Sequence, residues 1–160
     1  MGRPIYVAVI GGGEVGPEIA AQARIVGREL ARRGAVVLCG GLGGVMAAAA
    51  QGVKEAGGVC LGILPDGDRS RANPYLTYSL ATNLGHARNL IIVHSADALI
   101  AVDGSHGTVS EAAFALKLGK PVIALEAAWD LPGLQRAATP EAAVAALWEI
   151  ITLIPSGPED

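Results

Sequence analysis

Short apolar runs alternate with longer segments of helical periodicity along the whole chain. Strand-like apolar runs lie at 5–10, 36–39, 59–64, 98–102 and 122–125, with a shorter strand expected within 75–80. The spacing of apolar positions predicts helices at 18–33, 45–56, 86–93, 108–118 and about 140–151. Strands that are apolar along their full length and alternate with helices are typical of a parallel sheet covered on both faces. The pattern therefore predicts an α/β protein, a three-layer α/β/α Rossmann-like fold with a mostly parallel central sheet.

Glycine and proline mark where several of these elements begin and end. Gly34 and Gly119 follow predicted helices, and Pro140 opens the last helix. A length of 160 residues predicts one domain over residues 1–154, with a short frayed tail at 155–160. Residues 66–73 are polar and contain a glycine, so we expect a surface loop that could move.

Three turns rich in small residues follow predicted strands, and they carry most of the functional information. They are Gly11-Gly12-Gly13, Gly40-Gly41-Leu42-Gly43-Gly44, and the run from Asp103 through Gly104, Ser105 and Gly107 to Glu111. In open parallel sheets, ligands bind beyond the carboxyl ends of the strands. A following helix offers unpaired N–H groups and a partial positive charge, which favour anions. The turns, including Gly12, Gly13 and Ser105, therefore predict a phosphate-bearing ligand at this edge.

Each turn also has a purely structural explanation. The spacing Gly11-x-Gly13-x-x-Gly16 fits a dinucleotide-binding turn, but the second strand ends in Cys39-Gly40, where a ribose-binding acid would be expected. NAD binding is therefore the weaker interpretation. The glycines of the second turn could serve close packing between helix and strand.

Two candidate polar residues accompany the third turn. Thr108 and Glu111 have the spacing of a capping box, in which both side chains would only stabilise a helix start. The functional alternative is a carboxylate held beside a sugar, where it positions water or stabilises positive charge. Arg88 lies where a loop meets a helix, and its guanidinium suits a phosphate or a polarised base.

Composition excludes several classes of function. The net charge is −3 and no basic cluster exceeds Arg32-Arg33, which argues against a nucleic-acid partner. No apolar run has the length of a membrane span and no export signal is evident, so we expect a cytoplasmic protein without a membrane partner. Cys39 and Cys60 lie in or beside apolar strands and are predicted to be buried free thiols. The histidines show no ligand spacing, so neither a metal nor a cofactor is predicted.

The chain resembles the LOG superfamily, the LONELY GUY cytokinin-activating proteins and their bacterial relatives long labelled possible lysine decarboxylases. The resemblance covers about residues 5–150 and is closest to a bacterial branch of small proteins of uncharacterised function. The family pattern is an Arg-Lys pair, a strand, and Pro-Gly-Gly-x-Gly-Thr-x-x-Glu. In this chain, Arg88-Asn89 aligns with the Arg-Lys pair, and residues 103–111 align with the Pro-Gly-Gly-x-Gly-Thr-x-x-Glu motif. The departures from the family pattern are Asn89, Asp103 and Ser105.

The resemblance implies a site and an activity. Family members of known activity hydrolyse nucleoside 5′-monophosphates to free base and ribose 5-phosphate. The resemblance implies Arg88 and Glu111 as the catalytic pair and a homodimer with its site near the subunit interface. It implies as phosphate-binding residues Gly41, Gly43, Gly44, Gly104, Gly107 and Thr108. Two hypotheses follow for this chain: such a phosphoribohydrolase, or a protein that binds or carries a nucleotide or molybdenum-cofactor-like phosphorylated molecule without turnover.

Overall fold

The computed structural model of the protein describes residues 2–153. The strands are β1 (Tyr6–Gly11), β2 (Val36–Cys39), β3 (Val59–Leu64), β4 (Tyr78–Ala81), β5 (Ala98–Val102), β6 (Val122–Leu125) and β7 (Gln135–Arg136). The helices are α1 (Pro17–Arg32), α2 (Val45–Glu55), α3 (Arg88–Ser95), α4 (His106–Lys117) and α5 (Pro140–Leu153). A single 3₁₀ turn, Gly85–Ala87, leads into α3. The predicted tail at 155–160 lies outside the described residues.

All seven strands form one parallel sheet in the order β4-β3-β2-β1-β5-β6-β7. Strand β1 lies at its centre, with β2 on one side and β5 on the other. The chain thus winds away from β1 in both directions. A crevice forms where the winding reverses, at the carboxyl ends of β1 and β5.

Alternate side chains of each central strand enter different layers of the core. Val7 and Val9 pack with α1, α2 and α5, whereas Ala8 and Ile10 face the layer of α3 and α4. Burial on both faces explains why β5 is apolar at every position. The predicted three-layer Rossmann-like fold is confirmed.

Helices α1 and α2 approach each other closely at two glycines. A Cβ atom on Gly27 would lie 2.0 Å from the carbonyl oxygen of Ala49, and one on Gly52 would lie 1.9 Å from that of Arg24. Neither distance is possible for real atoms, so the crossing requires both glycines. This packing fixes the position of α2 against α1.

Some element boundaries differ from the prediction. Helix α4 begins at His106 rather than Thr108, and the strand expected within 75–80 occupies Tyr78–Ala81. The pair Gln135–Arg136 was not predicted as a strand, because both residues are exposed and the segment is defined only by its bonds to β6. The predicted loop at 66–73 is anchored through Asn73, whose backbone N–H donates to the Gly41 carbonyl.

Both cysteines are free and fully buried, as predicted, with their Sγ atoms 3.9 Å apart. Among residues 2–153, no helix combines the length and apolar character that a membrane span requires. Across the same part of the chain, no three His, Cys, Asp or Glu side chains are grouped so that they could hold a metal ion.

Candidate functional site

A cavity of about 200 Å³ lies at the carboxyl ends of β1 and β5, where the sheet winding reverses. The cavity wall contains most of the residues nominated from the sequence. They are Gly12, Gly13, Arg88, Ser105, Gly107, Thr108 and Glu111. The wall also contains Gly11 and Gly40 from the predicted turns, and three residues not predicted to bind the ligand, which are Met46, His86 and Asn89. Segments separated by about 100 positions in the sequence thus meet around one space.

Arg88 is the first residue of α3 and is only 7% exposed. Its Nε donates to the Ile63 carbonyl at 2.9 Å, and its Nη2 donates to the Gly40 carbonyl at 3.4 Å. Its Nη1 donates to Oδ1 of Asn89. Burial lowers the pKa of Arg88, and the nearby carboxylate of Glu111 is the largest opposing influence. The guanidinium is therefore held rigidly at the cavity wall, with N–H groups left over for a ligand.

Gly40 makes room for this guanidinium. A Cβ atom there would lie 2.6 Å from Nη2 of Arg88 and 2.6 Å from Sδ of Met46. Any other residue would push the arginine out of its place. Sequence reasoning placed Gly40 in the second glycine turn but did not predict its contact with Arg88. Its position immediately after the last residue of β2 was the available signal.

Glu111 lies on α4, facing the same cavity as Arg88. Burial raises the pKa of Glu111 to about 7, although the positive charge of Arg88 acts in the opposite direction. The carboxyl group is therefore close to half-protonated at neutral pH. Such a group can hold or release a proton as a bound molecule requires.

The capping-box explanation for Glu111 is wrong. It required the helix to begin at Thr108, but α4 begins at His106 with Ser105 as the N-cap, and no side chain caps it. Glu111 is therefore beyond the position from which a glutamate bonds back to a cap. Helix capping therefore does not explain why Glu111 lines the cavity.

The amino end of α4, where the first backbone N–H groups have no partner within the helix, lines the cavity. Ser105, Gly107 and Thr108 line this end, and Thr108 is only 4% exposed. Gly104 has φ +95° and would place a Cβ 2.3 Å from Oγ1 of Thr108, so glycine is required there. The local sequence thus brings a helix start close to a space that an anion could occupy.

Three glycines of the second turn pack closely against neighbouring residues. Gly41, Gly43 and Gly44 are absent from the cavity wall, as is Gly104. A Cβ on Gly44 would lie 2.2 Å from the Gly12 carbonyl oxygen, which accepts a 3.0 Å hydrogen bond from the Val45 N–H. The second turn therefore packs against the first glycine turn, which is a contact between two turns and not the predicted packing of helix against strand.

Asp103 is the first residue of the third turn, directly after β5, and adopts φ +54°. Aspartate tolerates this left-handed conformation better than most residues. Its Oδ2 lies beside Gly12, 3.7 Å from where a Cβ on that glycine would be. One negative charge thus lies next to the first glycine turn.

Comparisons with known proteins agree with the observed fold. A protein of Archaeoglobus fulgidus described as uncharacterized is 47% identical over 140 residues, which is 88% of this chain and 92% of that protein. The molybdenum cofactor binding protein from the phototrophic bacterium Rippkaea orientalis is similar with a TM-score of 0.87 and 36% identity, covering 93% of this chain and 98% of that one. The molybdenum cofactor carrier protein of Chlamydomonas reinhardtii is similar with a TM-score of 0.84 and 31% identity, covering 94% and 99%.

A family model matches residues 4–148, which include every strand, the cavity and most of α5. The resemblance to LOG proteins is thereby supported at the level of the wider group, and the particular LOG branch stays a prediction. On this match and on the similarity of fold, the chain belongs to the SLOG cluster4 family.

Proposed function

We propose that this protein binds a phosphorylated cofactor or nucleotide in the cavity and carries it without turnover. The observation that carries the proposal is the pairing of a buried arginine with an open helix start around one space. Arg88 supplies a fixed positive charge, and the amino end of α4 supplies N–H donors. Both features favour a phosphate monoester.

The residues predicted to bind phosphate divide into two groups under this proposal. Gly12, Gly13, Ser105, Gly107 and Thr108 line the cavity and would offer backbone N–H groups or a hydroxyl to the phosphate. The glycines that lie behind the wall would act by shaping it. They are Gly41, Gly43, Gly44 and Gly104.

The similar proteins favour a carrier over an enzyme. Proteins from Rippkaea orientalis and Chlamydomonas reinhardtii that share about a third of their residues with this chain bind or carry the molybdenum cofactor. A molybdenum cofactor, or another phosphorylated cofactor of similar chemistry, is therefore the first ligand class to test. A homo-oligomer and the absence of nucleic-acid or membrane partners stay predictions, as does a cytoplasmic location.

Hydrolysis of nucleoside 5′-monophosphates is the second candidate function. Its support is the pair of Arg88 and Glu111 at one cavity, with the pKa of Glu111 at about 7. A carboxylate that titrates near neutrality could activate water beside a ribose, while the arginine stabilises the departing base. Against it, Asn89 stands where the family motif has lysine, which removes one positive charge from the site.

The test compares binding with turnover. Isothermal titration with nucleoside 5′-monophosphates and, under anaerobic conditions, with the molybdenum cofactor should give saturable binding, and chromatography should detect no free base. Arg88→Lys should weaken binding by about tenfold or more, because an ammonium group cannot reproduce the directed N–H fork. Arg32→Lys is the control, since Arg32 is the last residue of α1 and is not among the residues of the cavity wall. Base release that disappears in Glu111→Gln would replace the carrier with the hydrolase.

A further inference from the structure

Residues 126–134 connect β6 to β7, and we call them the β6–β7 loop. None of its residues lies in the cavity wall. Trp129 in this loop is half-buried, and its side chain packs against the apolar core layer that contains α3 and α4. Its indole Nε1–H donates to the carbonyl of Asp103 at 3.4 Å. The loop therefore contacts the third turn directly without contacting the cavity.

The backbone of the third turn has an uncommon conformation at this contact. Asp103 and Gly104 both adopt positive φ angles, of +54° and +95°. Because Asp103 is not a glycine, its conformation is unfavourable unless neighbouring groups hold it. The Asp103 N–H donates to the Leu125 carbonyl at 2.9 Å, and the Asp103 carbonyl accepts from Trp129. Both backbone polar groups of Asp103 are thus bonded to the end of β6 and the loop that follows it.

The direction in which α4 begins depends on this backbone. Ser105 is the N-cap of α4, and no side chain forms a capping hydrogen bond there. Without such a bond, the first turn of the helix is oriented by the backbone that precedes it. The first N–H groups of α4 are the donors that the proposed phosphate site uses. Asp103 and Gly104 therefore orient the donors, and the contacts that hold these two residues affect the site.

Arg136 holds the β6–β7 loop in turn. It is the last residue of β7, the edge strand of the sheet, and its Nη1 donates to the Ala127 carbonyl at 2.8 Å. Its Nη2 donates to the Trp129 carbonyl. A guanidinium that bonds to two carbonyls of one short segment restricts the backbone there. The two-residue strand β7 thereby fixes the position of Trp129.

We infer that Trp129 is a positioning residue for the phosphate site and that Arg136 acts through it. The inference rests on the proposed phosphate-binding function and deepens it. Neither side chain lies in the cavity wall, so their effect reaches the ligand through Asp103 and the start of α4. At 3.4 Å the Trp129–Asp103 bond is longer than the usual range of roughly 2.7–3.2 Å, so it can shorten when an anion orders the third turn. The surroundings of the indole should therefore change on binding.

The chain has two tryptophans, which form a matched pair for a fluorescence test. Trp129 contacts the third turn, whereas Trp148 lies on α5 and packs against the core on the other face of the sheet. Ribose 5-phosphate does not absorb light where tryptophan does, so it can be titrated without interference. Trp148→Phe should retain the fluorescence change at saturating ligand, and Trp129→Phe should lose it.

Titration calorimetry with ribose 5-phosphate and with nucleoside 5′-monophosphates measures the effect on affinity. Trp129→Phe keeps an aromatic ring and removes the N–H, and it should weaken binding about fivefold, the usual value of one hydrogen bond. Arg136→Gln should also weaken binding. The double variant should bind no more weakly than Trp129→Phe alone, because the arginine acts through the tryptophan. Trp148→Phe and Arg32→Gln are the controls and should stay within about twofold of the unaltered protein.

Other results overturn the inference in distinguishable ways. If Trp129→Phe and Arg136→Gln bind as tightly as the unaltered protein, the two residues support only the fold, and the phosphate site stands without them. The absence of a fluorescence change in saturated Trp148→Phe also overturns the inference, and that result does not require a folded Trp129 variant. If the unaltered protein binds neither ribose 5-phosphate nor any nucleoside 5′-monophosphate, the phosphate site itself fails and the inference fails with it.

Discussion

Replacing Glu111 by glutamine is expected to stabilise the unliganded protein above neutral pH. The pKa of Glu111 in the folded protein is about 7, against an ordinary value of 4.5. Because each pKa unit corresponds to ~1.4 kcal/mol, ionising this carboxyl group at pH 8 costs the folded state roughly 3 kcal/mol. Glutamine has nearly the same shape and carries no charge, so it avoids that cost.

The sign of the pH dependence follows from proton binding. Between pH 4.5 and about 7 the folded protein retains a proton on Glu111 that the unfolded chain has released. The stability of the unaltered protein therefore falls as pH rises through this window, and the whole penalty is present above it. The advantage of Glu111→Gln should be near zero below pH 4.5 and should reach its maximum by about pH 8.

Urea unfolding at a series of pH values measures this difference directly. A gain of ~3 kcal/mol should also raise the unfolding temperature by roughly 6–12 °C in a chain of this size. Glu149→Gln is the control, because Glu149 is an exposed glutamate on α5. The argument that ionised Glu111 destabilises the folded protein would be refuted by either of two results. One is a stability difference between variant and unaltered protein that stays constant with pH, and the other is a variant that is less stable at pH 8.

Two further outcomes test other parts of the structure. Gly27→Ala should destabilise the fold by at least ~1–3 kcal/mol in urea unfolding, because its Cβ would lie 2.0 Å from the Ala49 carbonyl oxygen. Gly16→Ala, with open space around it, should stay within ~0.5 kcal/mol, and equal effects of the two variants would contradict the close helix crossing. Asp103→Asn should tighten binding of a phosphate monoester by about threefold in calorimetry, since it removes a negative charge beside Gly12. Weaker binding would show that this carboxylate supports the ligand instead of repelling it.

The carboxylate at Glu111 would then represent a cost in stability that serves the site. Proteins generally retain such groups where binding or catalysis needs them. The same carboxyl group is compatible with either proposed function. In a carrier, protonation would relieve its repulsion of a bound phosphate, and in a hydrolase the ionised form would act on water. Measurements of base release and of the pH dependence of stability are therefore complementary.

Much of the fold could be predicted because its signals are local. Continuous apolar runs such as Ala98–Val102 indicated buried parallel strands, and glycines such as Gly34 and Gly119 marked helix ends. The start of α4 was misplaced by two residues because the Thr108–Glu111 spacing fits a capping box. In the folded chain, the positive φ angles of Asp103 and Gly104 turn the backbone so that the helix begins earlier.

The composition of the site was predictable, but its arrangement was not. The residue types that follow the strands indicated an anion site, with Arg88 and Glu111 as candidates. Three contacts became visible only in the folded chain: Arg88 bonds to carbonyls 25 and 48 positions away, Gly40 makes room for it, and Gly44 packs against Gly12 instead of facing the cavity. Backbone preferences act between neighbours in sequence, whereas these contacts depend on how separate strands and helices pack against each other.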